Sequence, residues 1–168
     1  LYYADGRKAR LILPGYTEVH EENVPHHQFD FYIAGAGYPY HHCFRPGKLN
    51  LREYDDLWKG FLRKGYEEDC ALRLVWYRLC YPIDLSDGAR ENYLSYLHSH
   101  LADAAHWRLQ ERDVAGLQFL LREVEPTREL LTQLCESARE QDVPEVLAVL
   151  LEEQHKRFPA GAEKTFDL

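Results

Sequence analysis

A helix-turn-helix pattern occurs twice in the C-terminal half of this 168-residue chain. Asp113-Val114 and Asp142-Val143 each separate two segments whose apolar residues recur at helical spacing, and the two pairs lie 29 positions apart. Helix pairs that recur at about this distance bury their apolar faces by stacking, because one pair alone has no core. The pattern therefore predicts a mainly α-helical fold of stacked antiparallel helix pairs.

The same periodicity predicts helices upstream of this pattern. Asn50 and Glu53 form a capping-box pattern at the start of a helix that Gly65 ends. A second helix is expected from about Glu67 to a point before Pro82, because proline disfavours helical backbone in the preceding residue. The short connection predicts that these two helices form an antiparallel pair.

Caps also mark the helices of the C-terminal half. Ser86 can cap a helix that either continues to about Glu111 or breaks near Ser99. The last two helices are expected over residues 128–140 and 142–157. The second of these begins with an aspartate three residues before a glutamate, which predicts a capping box.

Residues 138–152 resemble the helix-turn-helix part of an ankyrin repeat. Ala138-Arg139-Glu140 precedes the turn, and Leu150-Leu151-Glu152 ends the apolar stripe. Through these residues and the segment 81–100, the helical region also resembles uncharacterised C-terminal segments of bacterial leucine-rich-repeat and ankyrin-type proteins. The resemblance implies an ankyrin-like α-solenoid within a larger protein. It implies no activity that can be assigned to a residue.

A change of composition divides the chain. Up to residue 47 it is rich in Tyr, Phe, His, Pro and Gly, whereas Leu, Ala, Glu and Arg dominate afterwards. We therefore predict an irregular aromatic and histidine-rich segment at 1–47, a helical-repeat domain at 48–158 and a tail at 159–168. In the tail, Phe166 and Leu168 can anchor the chain to the helices or form a short binding motif.

The N-terminal segment carries short signals for regular structure. Residues 9–13 are predicted to form a strand, and residues 17–20 an edge strand or its partner. Pro25 can open a short helix that extends to Ala34. Gly35-Ala36-Gly37 is predicted to be a turn, because no helix can follow it and a dinucleotide-binding loop needs one.

Histidines and a cysteine cluster in this segment. His26-His27 and His41-His42-Cys43 place four imidazoles and one thiol close together in the sequence. Neutral imidazole and thiolate are good zinc ligands, so one hypothesis is a zinc site formed by His27, His41, His42 and Cys43. Cys43 beside a histidine also allows a nucleophile and base. The alternative is that these rings pack among aromatic residues.

Aromatic residues are dense over the same segment. They can line a recognition surface, because tyrosine offers a large contact area with few rotatable bonds, or they can build a core. The residues concerned are Tyr16, Phe29, Phe31, Tyr32, Tyr38, Tyr40 and Phe44. We expect core positions for most of them and an exposed loop at Tyr38-Pro39-Tyr40. The predicted partner-binding residues are Tyr38, Tyr40 and Phe44.

Composition narrows the classes of partner. A net charge of -8 disfavours nucleic acid, and no apolar run approaches the roughly 20 residues that span a bilayer. Cys43, Cys70, Cys80 and Cys135 show no disulfide or Cys-x-x-Cys spacing. The chain contains no Met and begins at Leu1, so we expect it to be part of a longer protein. The location that we expect is the cytoplasm.

The helical pattern predicts function more than any single residue does. We expect a protein-interaction module, or the terminal cap of a larger repeat protein, with a protein partner and no catalysis. The alternative is a metal-binding domain or metal-dependent enzyme that uses zinc at the His26, His27, His41, His42 and Cys43 cluster.

Overall fold

A computed structural model describes residues 1–3, 5–23, 28–45, 48–63 and 68–159. It is mainly helical, with two small antiparallel sheets. The chain divides into two compact units, which we call unit 1 (Leu1–Tyr93) and unit 2 (Leu94–Leu168). The predicted domain boundary at Pro46-Gly47 lies outside the described residues, as do Phe166 and Leu168 of the predicted tail.

The regular elements are numbered along the chain. Unit 1 contains β1 (Thr17–Asn23), β2 (Gln28–Ala34), α1 (Tyr38–His42), β3 (Phe44–Arg45), β4 (Lys48–Leu49), α2 (Leu51–Asp56), α3 (Trp58–Arg63) and α4 (Glu68–Cys80). Helix α5 (Asp87–Ser99) begins in unit 1 and ends in unit 2. Unit 2 continues with α6 (Leu101–Gln110), α7 (Val114–Glu123), α8 (Arg128–Glu140) and α9 (Pro144–Arg157).

The N-terminal strands differ from those predicted. Residues 9–13 form no strand, and the predicted edge strand at 17–20 is part of β1. Its partner is β2, which occupies most of the segment predicted as a helix. Pairing runs in register from Thr17 opposite Ala34 to Asn23 opposite Gln28. Pairing with β1 along the whole strand therefore decides this structure, whereas Pro25, which indicated a helix, lies outside the described residues.

Several helix caps agree with the sequence. The Asn50 side chain accepts a hydrogen bond from the Glu53 backbone N–H at 3.2 Å, and the Ser86 hydroxyl accepts one from Ala89 N–H at 3.3 Å. The helix that follows Asn50 is interrupted at Leu57, which separates α2 from α3. The predicted break near Ser99 is also present, because His100 separates α5 from α6.

The two predicted turns in unit 2 share one geometry. Arg112 and Asp142 both have left-handed backbone, with φ of 53° and 51°. The next residue in each turn donates its N–H back across the helix end, from Asp113 to the Arg108 carbonyl at 2.9 Å and from Val143 to the Ala138 carbonyl at 3.0 Å. This is the Schellman pattern of helix termination. Equivalent positions are therefore 30 residues apart, although the matching Asp-Val letters are 29 apart.

The one-residue difference changes how the following helices begin. Asp113 is the N-cap of α7, and its carboxylate accepts the Gly116 N–H at 2.8 Å. A Cβ at position 116 would overlap that carboxylate, so a larger residue there would displace the Asp113 cap. Val143 is the N-cap of α9 and makes no side-chain cap. The predicted capping box at Asp142 is therefore wrong, because Asp142 ends α8 instead of beginning α9.

Apolar packing holds unit 2 together. Helix α6 contacts α7 and α8, and α9 contacts α7 and α8. The fully buried side chains of unit 2 include Leu109, Leu117, Leu120, Leu131, Leu134, Val146 and Leu150. Each such leucine contributes roughly 1.5–3 kcal/mol to folding.

The arrangement of these helices as an ankyrin-like solenoid stays a prediction. Every helix in the described ranges is too short or too polar to cross a membrane.

Candidate functional site

The histidines of the predicted zinc cluster make ring contacts where the structure describes them. His41 packs edge-on against Tyr16 at 4.8 Å between ring centroids, and His42 packs against Tyr38 at 4.6 Å. His26 and His27 lie outside the described residues. Across the described ranges, no three His, Cys, Asp or Glu side chains are placed to hold a metal ion. His41 and His42 therefore pack against aromatic rings, which is the alternative to a zinc site.

Cys43 is a buried thiol. It is 1% exposed, and its Sγ lies 3.8 Å from the Pro39 carbonyl, to which it donates. Burial raises the pKa of Cys43 to about 11. A nucleophilic cysteine needs the opposite shift, toward the thiolate. The arrangement therefore gives no support to a nucleophile and base at Cys43.

The three predicted partner-binding aromatics lie in different environments. Tyr40 is 1% exposed, and its ring contacts Tyr54 at 4.9 Å and Phe61 at 5.8 Å. Tyr38 is half-buried, and Phe44 is 37% exposed. Helix α1 turns Tyr40 into the core, whereas the sequence places it in an exposed loop. Tyr40 therefore cannot contribute to a docking surface without unfolding.

Burial of tyrosines makes unit 1 sensitive to alkali. Burial raises the pKa of Tyr40, Tyr54 and Tyr93 above the ordinary value of 10.0. These phenols therefore bind protons more tightly in the folded chain, so stability is full below pH 10.0 and falls as pH rises above it. We expect a spectrophotometric titration of the 12 tyrosines to show that some of them ionise only at a pH high enough to unfold the protein. Ionisation of all tyrosines near their ordinary pKa, without unfolding, would contradict the structure.

A buried ion pair lies at the centre of unit 1, and no sequence motif predicted it. Arg78 and Asp55 have side chains that are 0% and 3% exposed. Arg78 donates through Nε to Asp55 Oδ1 and through a terminal nitrogen to Oδ2, both at 2.8 Å. The Tyr93 hydroxyl donates to Oδ1 at 2.9 Å. The remaining guanidinium bonds reach the carbonyls of Tyr81 at 3.0 Å and Ile83 at 3.1 Å.

This network has a structural role. The Arg78 guanidinium joins α4 to α2 and to the loop at residues 81–83, and Asp55 links α5 through Tyr93, so four segments meet at the ion pair. A cleft of about 260 Å³ reaches Asp55 from the side of Lys59 and Asn92. The carboxylate already accepts three hydrogen bonds, two at Oδ1 and one at Oδ2, so both of its oxygens are engaged in the network. The sequence signal was a charged residue within each of two apolar helical stripes, a pattern typical of a buried pair.

The β1–β2 hairpin exposes aromatic side chains. Phe31 is 57% exposed and Tyr32 is 47% exposed. Consecutive strand residues point to opposite faces, so each face carries one exposed ring. No residue at 17–20 or 31–34, the hairpin positions whose side chains are described, is buried. The His20 ring contacts Phe31, its partner in the strand register, at 4.9 Å.

A second exposed apolar surface lies on unit 2. A groove of about 460 Å³ is lined by Arg128 from α8, by Leu151, Gln154 and His155 from α9, and by Phe158. The Arg128 guanidinium lies 5.2 Å from the centre of the Phe158 ring. Leu151 is 41% exposed, although it belongs to the apolar stripe of α9. We call this surface the α8–α9 groove.

Comparison with known proteins gave no relative. No protein-family model, curated protein or solved structure matches this chain. The resemblance of residues 138–152 to an ankyrin repeat therefore stays a prediction. The hairpin and the α8–α9 groove each combine exposed apolar side chains with charged residues.

Proposed function

We propose that this chain is a protein-interaction module and that the β1–β2 hairpin is its docking element. The observation that carries the proposal is the exposure of Phe31 and Tyr32 on opposite faces of one hairpin. An aromatic side chain buries about 150–250 Å² when it is covered, so exposure of both rings leaves a large apolar area in water. A protein partner that covers the two rings removes this apolar area from water, which favours binding.

The backbone of the hairpin supports the same proposal. The sheet has two strands, so within the described residues β1 and β2 each pair with one neighbour and have one open edge. An isolated two-stranded hairpin is marginally stable in water, and a third strand or a packing surface stabilises it. Partners commonly supply such a strand at an open edge. The hairpin thus offers both backbone groups and side chains for docking.

Charge specifies the chemistry of the partner. Residues 17–34 contain the acidic residues Glu18, Glu21, Glu22 and Asp30 and no lysine or arginine. A partner surface of the same sign is disfavoured, whereas a basic rim accelerates association and sets orientation. The expected binding site on the partner is therefore an apolar cleft bordered by lysine or arginine side chains.

Quantitative affinity capture from the source cell tests this function. The baits are the wild-type chain, a Phe31→Ser/Tyr32→Ser double variant and a Phe44→Ser control, which removes an exposed aromatic elsewhere in unit 1. We expect one or more proteins to be enriched by the wild type and the control, and to fall by about tenfold or more with the double variant.

The folded state of each bait is checked by its thermal unfolding midpoint. Serine at these exposed positions is not expected to change the core, since no described hairpin side chain is buried. If the double variant retains every partner of the wild type, or if Phe44→Ser loses the same partners to the same extent, the hairpin is not the docking element.

A further inference from the structure

The α8–α9 groove has the chemistry that the proposed partner of the hairpin requires. Its floor is apolar, formed by Leu151 and Phe158, and Arg128 and His155 border it. None of the lining residues is acidic, in a chain with 28 Asp and Glu and a net charge of -8. A volume of about 460 Å³ lies within the range of pockets that accommodate an aromatic group.

We propose that the occupant of the α8–α9 groove is the β1–β2 hairpin of a second copy of this chain. This inference rests on the proposed function of the hairpin and names one partner for it. The hairpin supplies the exposed rings of Phe31 and Tyr32 and an acidic sequence, and the groove supplies an open apolar floor and Arg128. The hairpin has acidic residues and no lysine or arginine, and the groove has Arg128 and no acidic lining residue, so the two surfaces are complementary in charge.

Net repulsion between two copies does not prevent this contact. At an ionic strength of about 0.15 M, charges separated by more than about 8 Å are largely screened. Screening therefore weakens the long-range repulsion between two copies of net charge -8 more than it weakens a short-range attraction between Arg128 and a hairpin carboxylate. Because only two rings and a few charges take part, the interface is small, and the association is weak and reversible.

The contact is head-to-tail, since two different surfaces meet. A hairpin and a groove on every copy allow each copy to bind one neighbour through its hairpin and another through its groove. Such contacts add copies in sequence unless the rotation closes a ring. Association therefore increases with concentration and does not stop at a dimer by necessity. This property separates the proposal from a symmetric dimer, in which one surface meets itself.

Complementation between two defective variants tests the proposal. The hairpin variant is Phe31→Ser/Tyr32→Ser, and the groove variant is Arg128→Glu/Leu151→Ser. Sedimentation velocity is measured from about 10 µM to about 1 mM for each variant, for their equimolar mixture and for the wild type. Arg139→Glu, which reverses an exposed charge elsewhere on α8, is the control for the groove variant. Thermal unfolding midpoints establish that every variant is folded.

We expect the wild type and Arg139→Glu to form species larger than a dimer, and each defective variant alone to bind itself at least about tenfold more weakly. The mixture is expected to form a dimer and nothing larger, because one intact hairpin and one intact groove remain between the two chains. A wild type that stays monomeric at every concentration overturns the inference. Self-association of either folded variant that is as strong as that of the wild type overturns it as well. A different result is possible: the wild type stays monomeric, but capture of another protein depends on Phe31 and Tyr32. That result contradicts only the second copy as partner and still supports the hairpin as a docking element.

Discussion

Replacement of Arg78 by Met is expected to lower the free energy of unfolding of unit 1 by about 3–5 kcal/mol. The substitution leaves the Asp55 carboxylate 3% exposed and without its cationic partner. The carbonyls of Tyr81 and Ile83 also lose their hydrogen bonds from the guanidinium, although Tyr81 still accepts the Ile83 N–H. Urea unfolding followed by tryptophan fluorescence measures the change, because Trp58 and Trp76 are both buried in unit 1.

Two further variants separate an unpaired charge from simple loss of packing. Arg45→Met removes a surface arginine whose side chain is 70% exposed and lies 3.9 Å from Glu53, and we expect a change below about 1 kcal/mol. Asp55→Leu/Arg78→Met removes both charges, and we expect it to recover about 2 kcal/mol or more relative to Arg78→Met. If Arg78→Met costs no more than Arg45→Met, the buried pair does not hold the four segments of unit 1 together.

Substitution of Gly37 by Ala is the second change for which we expect a large effect. A Cβ at this position would lie 1.8 Å from the Pro14 carbonyl oxygen and 2.6 Å from its carbon. Both atoms belong to the backbone, so no side-chain rotation relieves the overlap. The N–H of Gly37 also donates to the Gly15 carbonyl at 3.1 Å, and this bond is lost when the segments separate. We expect unit 1 to lose at least about 2 kcal/mol of stability.

Gly60→Ala is the matched control. Gly60 lies within α3, and a Cβ there meets no heavy atom within 4 Å. Alanine is favoured over glycine inside a helix, so we expect a gain of about 0.5–1 kcal/mol. Urea midpoints of the two variants are compared under the same conditions. Equal effects of the two substitutions would contradict the close approach of Gly37 to Pro14.

The helical part of the fold was largely predictable because its signals are local. Asn50 and Ser86 cap the helices that they were expected to cap. Gly35 and Ala36 form a bend where a turn was expected, but helix α1 follows directly at Tyr38, where no helix was expected. The β2 strand was not predictable in this way. Pro25 indicated a helix, whereas residues 28–34 pair with β1 along its whole length, and strand structure depends on such pairing more than on local propensity.

The turn at Asp142 shows a different limit of sequence comparison. Matching letters aligned Asp142 with Asp113, but the backbone aligns Asp142 with Arg112, since both have left-handed φ. The candidate site was missed for a related reason. The aromatic residues were recognised, but whether Phe31 or Tyr40 is exposed depends on the element that carries each one. A strand exposes Phe31 and helix α1 buries Tyr40.

Site-specific photocrosslinking tests the hairpin as a docking element most directly. A photoreactive phenylalanine analogue replaces Phe31 in one experiment and Phe44, the exposed control position, in another, and both proteins are irradiated in the source cell. We expect a discrete crosslinked protein from position 31 and at most a weak signal from position 44, because a docked partner covers the hairpin. A second copy of this chain or another protein can be distinguished by mass. The absence of any crosslinked protein from position 31, or the same products in equal amounts from both positions, would contradict the proposed function.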